Sequence, residues 1–92
     1  MTILKNFFEP GFQKYSKKLP PHIREKARRA FKYIGEQDQS NFSRGLEFKQ
    51  LKGTLHSIRI DDNYRAVEHK MGNAMYWEWI GPLDEYMRRI RG

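Results

Sequence analysis

The 92 residues contain no cysteine, which excludes disulfides and thiolate zinc sites. The three histidines, His22, His56 and His69, are scattered without metal-ligand spacing, so no metal site is expected. No run approaches the roughly 18 apolar residues of a membrane span, and the first residues lack the apolar stretch of a signal peptide. Repeats, low-complexity tracts, G-x-G-x-x-G and P-loop patterns are all missing, which leaves no indication of a nucleotide cofactor. The expectation is a cytoplasmic protein without metal, cofactor or membrane partner.

Acidic residues are the other shortage. Eleven Asp and Glu stand against 18 Lys and Arg, a net charge of +7. Between Lys14 and Lys32 lie eight basic residues and only Glu25 on the acidic side, so this one stretch carries the whole excess. A basic face this concentrated points to a polyanion or an acidic protein partner. Hydrophobic residues make up 38% and aromatics 14%, which suits one domain over residues 1–92 with a small core carried by bulky rings.

The pattern predicts an α+β fold. Thr2 to Asn6 reads as an edge strand. Phe8, Phe12, Tyr15 and Leu19 recur at helical spacing after Pro10, and Pro20 and Pro21 break that helix. A second helix follows from about Pro21 to Ile34, with Ile23, Ala27, Ala30, Phe31 and Ile34 on one side and Gly35 as its cap. The two make an N-terminal helical hairpin over a small antiparallel sheet. Residues 36–50 read as a loop pinned to the core by Phe42, Leu46 and Phe48.

Leu55 to Ile60, Tyr64 to Lys70 and Ala74 to Ile80 alternate as strands, joined by a turn at residues 61–63 and another at Gly72 and Asn73, before a short helix from Pro82 to Ile90. The turns imply a register in which Ile60 faces Tyr64, Arg59 faces Arg65, Arg65 lies beside Ile80 and Val67 beside Glu78. One face then carries Ile58, Ile60, Tyr64, Ala66, Met75, Trp77 and Trp79 as the core. The other carries Ser57, Arg59, Arg65, Val67, His69, Tyr76 and Glu78. Two arginines facing each other repel, by up to roughly 1 kcal/mol, unless an anion lies between them. An exposed face dotted with arginines is the alternative.

The order of LKG (51–53), SIRI (57–60), NYRAV (63–67), YWEWIG (76–81) and DEY (84–86) resembles the RelE/ParE superfamily of type II toxin–antitoxin toxins along nearly the whole chain. The resemblance implies a RelE-like, microbial-ribonuclease-like fold. For RelE-type members it also implies metal-independent cleavage of messenger RNA at the ribosome, which inhibits translation. A base takes the ribose 2′-OH proton, that oxygen attacks the adjacent phosphate, cations offset the added charge and an acid protonates the leaving 5′-oxygen.

On this resemblance Arg59 and Arg65 clamp phosphate, and Tyr86 lies near the scissile bond. Glu78 is the expected base, or else a salt-bridge partner of Arg65; Tyr86 is a site residue or a helix-packing ring. Lys52, Ser57 and His69 would contact RNA from the sheet, and Arg28 and Arg29 from the basic helix. Ser57 stands where a second basic strand residue is usual, and Leu83 where related toxins often place His or Arg, leaving the general acid unassigned. The expected partners are mRNA, the ribosome and a cognate antitoxin of acidic or amphipathic character. The alternatives are a ParE-like inhibitor of DNA gyrase without nuclease activity, or an inactive RNA-binding module of the same fold.

Overall fold

The computed structural model describes residues 3–36 and 49–91. The chain opens on strand β1 (Lys5–Phe8), followed by a short helix α1 (Phe12–Ser16) and a longer one, α2 (Pro21–Gly35). Strands β2 (Lys49–Lys52), β3 (Leu55–Asp61), β4 (Tyr64–Met71) and β5 (Ala74–Pro82) then form a continuous meander that ends in helix α3 (Leu83–Arg91). The sheet order is β1-β5-β4-β3-β2, with β1 parallel to β5 and every other pair antiparallel. Phe42, Leu46 and Phe48 lie outside the described residues.

The expected N-terminal helical hairpin is not what forms. A strand leads, α1 is only five residues long, and α2 alone supplies a full helical face. Pro20 and Pro21 mark the division: proline fits the first turn of a helix but cannot continue one, so α2 starts there, three residues of turn after α1 has ended at Ser16. Ile23, Ala27, Ala30 and Ile34 are buried along α2 at helical spacing. β1 is anchored by Asn6, which donates to the Phe31 carbonyl and accepts from the Trp77 indole N–H, both at 2.8 Å. One polar side chain thereby ties α2, β1 and β5 together beside the main core of Leu4, Phe12, Ile23, Ile34, Ile58 and Trp77.

The β4–β5 turn forms at Gly72 and Asn73 as expected, with Gly72 supplying its positive φ, whereas the β3–β4 turn is Asp62 and Asn63 rather than residues 61–63, since Asp61 belongs to β3. Arg59 faces Arg65 and Ile58 faces Ala66, but Tyr64 pairs with Asp61, because the register shifts between Arg59 and Asp61. A second irregularity has larger consequences. His69 pairs with Tyr76 as expected, whereas Val67 pairs with Trp79 and Glu68 with Trp77, so Glu78 is an extra residue on β5. Such a bulge inverts which face each later side chain meets. Trp79 therefore leaves the expected core face, Ile80 takes its place there, and Arg65 lies beside Gly81 rather than Ile80. The Trp79 ring lies over Gly81, where an added Cβ would fall 2.5 Å from its Cζ2.

Glu68 is fully buried between His56 and Trp77 on the neighbouring strands, and neither carboxylate oxygen has a hydrogen-bond partner among the described residues. Burial pushes its pKa up to about 8, only partly opposed by Lys70. α3 begins where the Leu83 amide donates to the Asn63 carbonyl and turns back across the open face of the sheet. Its first turn carries Asp84 and Glu85 and its last Arg88, Arg89 and Arg91, a distribution that complements the helix dipole. Tyr86 joins Val67 and Trp79 in a second, smaller core beneath it. The helix thus divides the open face in two.

Candidate functional site

On the β2–β3 side of α3 lies a groove of about 460 Å³. Arg59 and Arg65 enter it from adjacent strands, directly opposite each other as the turn spacing predicts. Lys49 enters from β2, where it pairs with Ser57. Tyr86 and Leu83 close it from α3. The Tyr86 and Ser57 hydroxyls are buried and 2.9 Å apart, which fixes the phenol ring against the strand. Three cations and a phenol therefore share one concave surface.

The turn between β3 and β4 manages the repulsion between the arginines. Arg59 is ion-paired with Asp62. Arg65 donates from Nη1 to the carbonyls of Asp61 at 2.7 Å and Tyr64 at 3.0 Å. Among the described residues its hydrogen bonds all come from Nη1, which leaves the Nε and Nη2 edge to face a ligand. A guanidinium anchored in this way suits the bidentate geometry of a phosphate.

The other expected site residues are elsewhere. Glu78 bonds His69 Nε2 at 3.1 Å, while His69 Nδ1 meets Thr54 Oγ1 at 3.0 Å. That pair does not reach the groove: Glu78 lines a separate small cleft with Leu55, Val67, Arg89 and Ile90, set there by its bulge. It also makes Glu78 the partner of His69 rather than of Arg65. Lys52 is exposed at the end of β2, away from the groove lining. Arg28 and Arg29 lie on the exposed side of α2, in the layer opposite the groove, and both pair with Glu25, whose carboxyl they hold below its usual range.

Lys49 is the residue that sequence reasoning misses. It falls in the stretch expected to be loop, and four residues of KQLK carry too short an alternation to declare a strand. Its position facing Ser57 supplies a cation where the strand itself has only a hydroxyl.

A mixed five-stranded sheet, with helices on one face and a terminal helix laid over a cationic groove on the other, defines the class of fold. Comparisons with solved structures match it to RelE toxin chains. The toxin–antitoxin RelB–RelE complex of Methanococcus jannaschii matches with a TM-score of 0.73 at 21% identity, over 90% of this chain and 96% of that one. The RelE–RelB complex of Pyrococcus horikoshii OT3 gives 0.66 at 16%, over 89% and 96%. YafQ from E. coli strain BL21(DE3) gives 0.62 at 12%, over 90% and 97%. The chain has the RelE fold. Searches of protein-family models and of curated protein sequences find no match.

Proposed function

We propose that this protein is the toxin of a type II toxin–antitoxin pair and cleaves messenger RNA at the ribosome. The observation that carries the reading is the groove in which Arg59, Arg65 and Lys49 surround a buried Tyr86–Ser57 hydroxyl pair. A phosphodiester held there meets charge on three sides, and cations positioned before the reaction stabilise the added negative charge most as it develops. Arg65 presents its free guanidinium edge to the phosphate, Arg59 and Lys49 neutralise its flanks, and Tyr86 is the group positioned to exchange a proton with the ribose or the leaving oxygen. Glu78, paired with His69 outside the groove, is not its base in this reading.

The matched RelE chains come from complexes with RelB, which supports a cognate antitoxin here. An acidic segment along the groove would neutralise the same cations that RNA requires. Leu83 favours one second reading, gyrase inhibition without nuclease activity, because it places an apolar side chain at the groove rim.

The test is RNA cleavage by purified protein in EDTA, with and without translating ribosomes, reading the fragment ends. Fragments ending in 2′,3′-cyclic phosphate, reduced about 10²-fold or more by Arg65→Ala in a protein of unchanged circular dichroism, are the expected result. Intact RNA from folded protein that still arrests growth would replace this reading with the gyrase one.

A further inference from the structure

On the other side of α3 from the groove, a cleft of about 410 Å³ opens between α1 and α3 above the end of β5. Its walls are aromatic: Tyr15 from α1, Tyr64 from the start of β4 and Trp79 from β5. Its rim is cationic, with Lys18 just after α1 and Arg88 and Arg89 on α3, all three exposed. Glu85 is the one carboxylate among the described residues that line it. The Arg89 guanidinium lies 5.1 Å from the Trp79 ring centre and 5.7 Å from that of Tyr15, while the two rings are 6.3 Å apart. A planar, π-bonded cation already stacks against this wall.

We propose that this cleft holds one unpaired nucleobase of an RNA strand, stacked on Tyr15 and the Arg89 plane, with its flanking phosphates on Lys18 and Arg88. The proposal deepens the reading of the protein as RNA-directed and rests on it. Aromatic faces beside cations are what single-stranded nucleic acid uses, because every base has a π-face and every linkage a charge. The volume falls within the few hundred Å³ of ligand-sized pockets. An acidic peptide would use the cations but not the half-buried ring surface of Tyr15 and Tyr64 that the cores leave open. The cleft and the catalytic groove lie on opposite flanks of the same helix, so one strand passing over α3 can reach both.

The test is fluorescence anisotropy with a labelled 2′-O-methyl hexanucleotide, which lacks the 2′-OH nucleophile and so reports binding without cleavage. A hexamer of abasic sites with the same phosphates is the comparison. The base-bearing oligomer should bind about tenfold more tightly than the abasic one, and Tyr15→Leu, which keeps an apolar packing group but removes the ring, should erase the preference. Lys18→Glu combined with Arg88→Glu should weaken both oligomers by about tenfold or more and flatten the salt dependence. Equal binding of the two oligomers by the native protein, or no change in the charge-reversed variant, would overturn the proposal. Displacement of the oligomer by poly-L-glutamate, with Tyr15→Leu leaving RNA binding unchanged, would assign the cleft to an acidic protein segment instead. Arg65→Ala separates the two sites. Loss of cleavage with the base preference intact is expected from that variant, while a native protein that cleaves RNA without any base preference loses this site and keeps the groove.

Discussion

Replacing Glu68 with glutamine should make the fold far less sensitive to a rise in pH from the mildly acidic range to about 8. The carboxyl is buried without a hydrogen-bond partner among the described residues, and burial raises its pKa from 4.5 to about 8 in the folded protein. Below pH 4.5 it is protonated in the folded and the unfolded chain alike. Between 4.5 and about 8 the unfolded chain releases the proton and the folded chain keeps it, so stability falls as pH rises and levels off above about 8. Each pH unit in that window costs about 1.4 kcal/mol, which amounts to roughly 3 kcal/mol between pH 5.5 and 8. Against a total stability on the order of 5–15 kcal/mol, that is a large share. Urea unfolding followed by circular dichroism at pH 5.5, 6.5, 7.5 and 8.5 measures it. With a slope of roughly 1–3 kcal/mol per molar urea, the native midpoint should drop by about 1–3 M across the series relative to Glu68→Gln. Glu25 and Asp61, whose carboxyls are held low by their cationic neighbours, titrate below this window, and comparing the two proteins cancels what they share. Parallel midpoints for the two proteins would refute the reasoning.

Lys49→Ala should leave thermal unfolding within about 0.5 kcal/mol of native, since the side chain is exposed, yet lower RNA cleavage and reduce the slope of binding against salt by about one ion. Tyr86→Phe removes the bond to Ser57 and strands a buried hydroxyl. It should cost about 1–3 kcal/mol in urea unfolding and lower the cleavage rate, and a variant as active as native protein would end the proton-transfer role of Tyr86. Gly81→Ala drives a methyl group into the Trp79 ring and should destabilise the fold by roughly 1–3 kcal/mol, with a shift in tryptophan fluorescence as the ring moves.

The turn at Gly72 and Asn73 and the pairing of Arg59 with Arg65 are legible in the sequence because both depend on residues only a few positions apart, whereas the first turn is one residue shorter than the spacing suggests. The faces beyond the bulge are not. Placing Trp79 requires knowing that β5 holds one more residue than its partner, and neither Tyr76-Trp77-Glu78-Trp79 nor its neighbours mark which residue is extra. Strand β1 was visible only as a short mixed stretch at the start, because its partner lies about 70 residues away and the Asn6–Trp77 bond that fixes it is a long-range contact. Lys49 falls in a stretch whose pattern reads as loop. The sequence does not single out Glu68, because a charged residue on a strand reads as solvent-facing, although its alternation with Ala66 already puts it on the core side. The groove was therefore half readable: its arginines and tyrosine were, its lysine and the departure of Glu78 were not.

Helix α3 is a wall common to two cavities. A ligand in the groove rests against Tyr86, and one in the cleft against Arg88 and Arg89, so either holds the helix down. Any partner that must lift α3 from the sheet to bind therefore competes with both without touching the same atoms. At a ligand concentration of 100 times its dissociation constant, that partner's apparent affinity falls about 100-fold, and the partner at 100 times its own dissociation constant weakens the ligand by about the same factor. A nine-residue helix at the end of the chain would in this way make RNA and inhibitor mutually exclusive from either flank.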